Sequence, residues 1–253
     1  MIAIEPRPAS SARAYTILCR WRVAQLGQEL PGILVAQVLF ATGTAIGLGF
    51  LIPDVDSQAG AYLATGAFLI NLLIIAIAMV PGMMTEARVT GSLDYMWSLP
   101  FPRLVYLLAE LTIWALAILP GMIISLVVTS IRFDFDLQIS PLVVPAVGLV
   151  LLTASSVGAA IGLRSPSQQT TNLFTNFVLI IVLLFSPVNF PGDRLPGWLQ
   201  GVHEVLPIAH MADLVRATLV GGIDTNVPVA LVVLSLWCAL GLGVTIRSVR
   251  RTG

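Results

Sequence analysis

Six stretches of this chain carry no charged residue, and each is long enough to cross a bilayer as a helix. They are Leu30–Pro53, Ser57–Thr85, Leu111–Ile131, Leu137–Leu163, Ser165–Gly192 and Thr225–Ile246. Crossing a hydrocarbon core of roughly 30 Å takes about 20 helical residues. The chain is 57% hydrophobic and 10% charged, whereas soluble domains are about 25% charged. A water-soluble fold has no means of hiding that much apolar surface. The expected fold is therefore an all-α membrane protein with six transmembrane helices, at about 30–52, 60–84, 105–131, 142–163, 170–190 and 226–246. No length is left for a second soluble domain, so residues 1–253 are expected to form one transmembrane domain. Cys19 and Cys238 lie far apart, the latter inside an apolar run, and no disulfide framework is expected. No short apolar segment with a small-residue cleavage site precedes the first span, so no cleavable leader is expected.

The charges between the spans give an orientation. Ten of the thirteen basic residues, all arginine, fall on one side: Arg7, Arg13, Arg20, Arg22, Arg88, Arg103, Arg164, Arg247, Arg250 and Arg251. The other side holds Arg132, Arg194 and Arg216 together with most of the acidic residues, including Asp134, Asp136, Asp193, Glu204 and Asp213. Excess arginine marks the cytoplasmic side, so both termini are expected in the cytoplasm, as an even number of spans requires.

Two connecting segments are too patterned to be plain loops. The cytoplasmic one, 85–103, places Val89, Leu93, Met96 and Trp97 at helical spacing among Glu86, Arg88 and Asp94. It is expected to form a short amphipathic helix ended by Pro100 and Pro102. The bland reading is an interfacial helix resting on headgroups. The sharper one is a helix that docks into a cytoplasmic partner, with Gly91-Ser92 allowing a close contact. The external segment is expected to hold two short helices, about 195–205 and 207–220, with Pro207 in the first turn of the second and Gly221-Gly222 ending it. Their apolar faces suit partial insertion from outside. His203 and His210 are the only histidines. They read as solvated loop residues, and no metal site is expected.

In these segments the chain resembles the membrane subunit of ABC transporters of the ABC-2 export type. The resemblance rests on an amphipathic N-terminal helix, six spans, and a first cytoplasmic loop Glu86-x-x-x-x-Gly91-Ser92-Leu93-Asp94 ending in Leu99-Pro100. It rests also on the pattern Pro187, Phe190-Pro191, Leu195-Pro196-x-Trp198-Leu199, Leu206-Pro207, Arg216, Gly221-Gly222 before the last span. The chain departs from many relatives at Ser186-Pro187, where they carry Ser-Gly. The resemblance implies that two membrane subunits, identical or different, pair and that each docks on a separate ABC ATPase subunit, which would bind ATP and Mg. Residues 86–98 would be the coupling helix and residues 10–28 an interfacial elbow helix. Substrate would pass between the two subunits along spans one, two and five, in a bacterial cell membrane. Along residues 10–28 Tyr15, Leu18, Cys19 and Leu26 share one face, while Arg22 falls on that apolar side, where snorkelling would have to accommodate it.

The chain has no lysine and no Gly-x-x-x-x-Gly-Lys-Ser/Thr loop. It is therefore not expected to be an enzyme or to carry a cofactor of its own, and nothing in it points to nucleic acid. An ATP-independent secondary transporter or channel would place ionisable groups within its spans. Glu110 is the one candidate, and pairing with Arg103 or Arg88 is its expected role. An intramembrane hydrolase would need a nucleophile and a base at depth, and no histidine lies in a span. The polar handles of the expected pathway are Thr42, Thr44, Asn71, Asn172, Thr175 and Asn176. Walls so apolar favour an amphipathic or hydrophobic cargo, such as a drug, antibiotic or lipid-like molecule.

Overall fold

The computed structural model describes residues 10–27, 30–51, 56–98, 103–221, 223 and 225–251. These residues are helical apart from short connections and one antiparallel bridge, Leu137 to Val220. In chain order the helices are α1 (Ser11–Leu26), α2 (Leu30–Leu51), α3 (Ser57–Val89), α4 (Ser92–Ser98), α5 (Arg103–Phe133), α6 (Val143–Arg164), α7 (Gln168–Phe185), α8 (Gly197–Val205), α9 (Pro207–Leu219) and α10 (Val227–Arg251). Among the described residues five helices are long and apolar enough to cross a membrane: α3, α5, α6, α7 and α10. The count reaches six if the bent pair of α1 and the first part of α2, which meet at 78°, forms one more span.

Local chemistry sets the boundaries. Ser10 caps α1 by accepting from the Arg13 amide, Asp56 caps α3 through the Ala59 amide at 2.7 Å, and Ser167 caps α7 through the Thr170 amide. Helix α7 stops at Phe185, short of the expected 190, because Ser186 precedes Pro187 and adopts an extended conformation with ψ 144°. Helix α3 runs well past the expected end at residue 84. Its middle, Ile74–Met79, is a π-helix just before Pro81. Proline lacks an amide proton and crowds the carbonyl four residues back, and the wider π turn gives it room.

Helix α3 is the centre of the bundle, with an unbroken buried run from Leu63 to Leu73. It crosses α6 where α6 carries glycines. A Cβ at Gly158 would run into the Ala76 carbonyl, and one at Gly162 into the Pro81 carbonyl. Small residues at such crossings let membrane helices approach closely. Near this crossing the Thr85 hydroxyl lies 3.0 Å from the Gly162 carbonyl and 2.8 Å from the Thr171 hydroxyl. It can donate to one and accept from the other, so a single buried hydroxyl joins α3, α6 and α7. Helix α10 packs on α6 by the same devices. A Cβ at Gly241 would meet Ser156, and Thr245 donates to the Ser156 carbonyl at 3.0 Å.

Candidate functional site

One end of the bundle gathers α1, the end of α3, α4 and the α6–α7 connection. The expected single helix over 86–98 is two pieces. Glu86 and Arg88 belong to the last turns of α3, the helix breaks at Thr90-Gly91, and Ser92 begins α4. Gly91 has φ +76°, the left-handed region that favours glycine, which is why the chain turns there. The side chains of Leu93 and Asp94 lie outside the described ones, as do residues Pro100 and Pro102. Arg88 donates to the Ser165 carbonyl just beyond α6. The foot of α3 is thus fastened to the α6–α7 connection.

Glu110, on α5, is 4% exposed. Its partner is neither Arg103 nor Arg88, as the sequence led us to expect, but Arg22 of α1, whose Nε lies 2.6 Å from the carboxylate. The arginine that spoils the apolar face of α1 is there to meet this carboxylate. The Tyr15 hydroxyl bonds to the Thr112 hydroxyl at 2.9 Å, a second tie between the same helices. Between α1, α3, α4 and α5 lies a crevice of about 390 Å³ bordered by Trp21, Arg22, Glu86, Ser92, Met96 and Tyr106.

The expected pathway residues are only partly brought together. A groove of about 360 Å³ runs between α2, α3 and α7, lined by Phe40, Ile70, Ile74, Asn176 and Leu179 among others. Asn176 faces it. Asn172 is exposed one turn away on the same helix and accepts from Gln168 at 3.4 Å. Asn71 is buried and donates to the Ala67 carbonyl of its own helix, so it is no free handle. Thr175 is buried and bonds to the Asn172 carbonyl. The Thr42 hydroxyl is buried with no partner, and the Thr44 side chain lies outside the described ones.

The other end is closed by α8 and α9. Leu199 turns inward, Trp198 stays outside, Leu195 lines a pocket between the helices, and Pro207 begins α9. Pro196 precedes the first turn of α8, and Pro191 leads into a short 3-10 turn at Gly192–Arg194. Arg216, assigned above to the external loops, is a core residue at 2% exposure. It donates to the Val188 carbonyl at 2.8 Å and to Asp213 at 3.2 Å, and its guanidinium sits 4.1 Å from the centre of the Tyr62 ring. Burial pulls this guanidinium below its ordinary value. Burial also pushes the Asp213 carboxyl up, against the pull of Arg216 and His210. The histidines, expected above to be solvated, are buried instead. They are 6% and 9% exposed, and their Nε2 atoms reach the Phe185 and Glu204 carbonyls. The apolar faces of two short helices close over them, and the sequence pattern does not show which side of each ring ends up inside. Among the described residues no three His, Cys, Asp or Glu side chains form a group that would hold a metal ion.

These features define a multi-pass helical membrane protein with short helices bound to both ends of its bundle. The model of the ABC-2 type transporter family matches residues 14–220. The chain belongs to that family, as a membrane permease subunit. It is 27% identical over 238 residues to Nodulation protein J of Rhizobium leguminosarum bv. viciae, covering 91% of this chain and 90% of that one. It is 28% identical over 136 residues to Nodulation protein J of Neorhizobium galegae, covering 53% and 51%. The protein of that name from Rhizobium leguminosarum bv. trifolii is 27% identical over 208 residues, covering 79% and 77%.

Proposed function

We propose that this chain moves an amphipathic or hydrophobic molecule out of the cell, as one of two paired membrane subunits driven by separate ATPase subunits. The observation that carries the reading is the break at Gly91. It sets α4 off the foot of α3 as a distinct seven-residue helix, while Arg88 locks that foot to the α6–α7 connection. A partner seated on α4 would push on α3. Helix α3 cannot move without α6, against which Gly158 and Gly162 pack it, or without α7, joined through Thr85 and Thr171. Both α3 and α7 wall the groove that holds Asn176. Work done at the cytoplasmic end would therefore arrive at the groove.

Helix α1 takes the role of interfacial elbow and α4, with the foot of α3, that of coupling element. Helices α8 and α9 take that of a re-entrant external cap, with both termini in the cytoplasm. Pairing of two membrane subunits has its own support. Helix α7 exposes Leu173, Phe174, Phe177, Ile180 and Leu184 beside the exposed Asn172 and Asn176. Amides facing bare hydrocarbon are costly, and a second subunit across a polar-dotted pathway supplies partners. The apolar groove walls fit a drug, antibiotic or lipid-like molecule better than a small ion. A proton-coupled role for Glu110 has little room, since Arg22 already occupies its carboxylate.

Purification of the native complex should bring down an ATPase subunit. Replacing Glu86, or Gly91-Ser92-Leu93 by alanines, should abolish stimulation of that ATPase by transported molecules without affecting insertion. Stimulation that persists in both variants would rule out docking through this element. In a background lacking Cys19 and Cys238, a cysteine at Asp134 or Asp193 should label from outside and one at Arg88 or Arg164 should not. The reverse pattern would invert the orientation.

A further inference from the structure

A groove of about 500 Å³ lies between α6, α7 and α10. It is not the groove that holds Asn176. Helix α7 turns Thr170 and Phe174 toward this one, and Asn176, Leu179 and Leu183 toward the other. The walls are apolar, with Val157 and Ile161 on α6, Phe174 on α7, and Leu240 and Val244 on α10. Phe174 and Leu240 are 48% and 62% exposed, so the groove opens to the hydrocarbon around the bundle.

One end has a different chemistry. There the groove reaches Arg164, the last residue of α6, and Thr170 in the first turn of α7. Arg164 ends a span, so its guanidinium stands at headgroup level whichever face is cytoplasmic. Val157 lies about 10 Å further down α6, against about 15 Å for the hydrocarbon of one leaflet. Headgroup-level charge and leaflet-deep apolar wall thus belong to one continuous surface.

The cations at this end are open to a guest. Arg164 is exposed, and among the described residues it has no hydrogen bond and no ion pair. Arg247 is exposed and unpaired in the same sense, and it continues the Leu240 and Val244 stripe of α10 by one turn. Helices α6 and α10 run in the same direction, since Thr153 donates to the Leu234 carbonyl and Thr245 to that of Ser156. Arg247 therefore lies toward the same end as Arg164. A hydroxyl proton is free there as well. The Thr170 and Ser167 hydroxyls share one bond at 3.0 Å, so one of the two keeps a proton to donate. A soluble anion would satisfy these groups and leave the apolar wall bare. A zwitterionic lipid would cover the wall but bring its own cation toward two arginines. An anionic phospholipid does both without that cost, as basic pockets between membrane helices do for acidic headgroups.

We propose that this groove holds one chain of an anionic phospholipid, with its phosphate on Arg164 and within reach of Arg247. The lipid is a fixed neighbour that seals the seam between α6, α7 and α10. It is not the cargo, and its binding does not rest on the export reading.

Trp237 also lines the groove, tied by its indole Nε1 to the Val205 carbonyl at 2.9 Å, and serves as the reporter. The full chain is placed in phosphatidylcholine nanodiscs carrying a minor fraction of a lipid with brominated chains, either phosphatidylglycerol or phosphatidylcholine. The emission of Trp237 is taken as the difference between the parent and Trp237→Phe. Brominated phosphatidylglycerol should quench as if enriched about fivefold over its bulk fraction, the contribution of one arginine near an acidic headgroup, and brominated phosphatidylcholine should show no enrichment. Arg164→Gln should remove most of that excess and Arg164→Lys should keep most of it. Arg132→Gln, at the end of another span, should leave it unchanged. Glycerophosphate, the headgroup without chains, should not compete it away. Equal quenching by the two lipids, an excess that survives Arg164→Gln, or one lost equally in Arg132→Gln would each overturn the assignment. So would competition by glycerophosphate, which would mark an anion site without a chain. Absence of quenching by either lipid would mean that a second copy of the chain covers the groove, and would overturn it too. None of these readouts needs an ATPase or a transported molecule, so a failure here leaves the coupling reading intact, and a failure of the coupling variants leaves this groove intact.

Discussion

Arg22 and Glu110 meet at 2.6 Å although 88 residues separate them. The pair joins α1 to the span α5, and Tyr15 and Thr112 reinforce the joint. Arg22 also donates to Gln25 at 2.8 Å, which holds its fork in place. A helix held this way turns with the bundle.

Breaking the pair from one side leaves a charge without a partner. For a deeply buried pair that costs roughly 3–5 kcal/mol. Arg22 keeps a fifth of its side chain exposed, so about 2 kcal/mol is expected for Arg22→Gln or Glu110→Gln once solvent screening is allowed for. The double variant should be less destabilised than the sum of the singles. Unfolding in detergent across the four proteins measures the coupling. Strictly additive losses would mean that the contact carries no stability.

The helices and their order were legible because lipid makes severe demands. Charge-free runs, prolines at Ser186-Pro187 and Leu206-Pro207, and capping residues such as Asp56 and Ser167 fix where helices start and stop from local chemistry alone. The break at Gly91 was half legible. Gly91-Ser92 stood out in the pattern, but periodicity cannot tell a continuous helix from two pieces with a left-handed residue between them. Least legible were the long-range partners. The misplaced Arg22 and the isolated Glu110 each signalled a missing partner, and only the crossing of α1 over α5 paired them. The burial of Arg216, His203 and His210 gave no signal, since short amphipathic helices with charges look the same whether their polar groups face water or a pocket.

Arg216 is the charge most deeply placed among the described residues. Its planar fork serves Val188, Asp213 and Thr65 while its face covers Tyr62. Arg216→Met should cost about 3 kcal/mol, since it leaves the Asp213 carboxylate and the Val188 carbonyl unpaired. Lysine keeps the charge but neither the fork nor the stacking, so Arg216→Lys should recover only part of the loss. Thermal unfolding ranks the three proteins. A lysine variant as stable as the parent would show that charge alone matters at this position.

The crossing of α3 and α6 makes a sharper steric prediction. Alanine at Gly158 or Gly162 would press a methyl group into a backbone carbonyl, which cannot rotate away. Overpacking of this kind costs about 1–3 kcal/mol. Gly148 lies on the same helix with nothing within 4 Å of a Cβ, and alanine there should be neutral or stabilising by up to about 1 kcal/mol. Similar losses at all three positions would mean that the cost does not come from the crossing and that the two helices do not meet at the glycines.

At Gly91 no neighbour stands in the way, since a Cβ there would find nothing within 4 Å. Any effect of substitution must come from φ +76° itself. An ordinary L-residue pays roughly 1–2 kcal/mol for that conformation, while asparagine tolerates it better. Gly91→Val should therefore straighten or displace α4 and lower stimulation of the partner ATPase several-fold at normal expression. Gly91→Asn should keep most of it. The comparison is read as ATPase activity of the purified complex with and without transported molecule. If valine and asparagine behave alike, the angle between α3 and α4 is not what transmits the work.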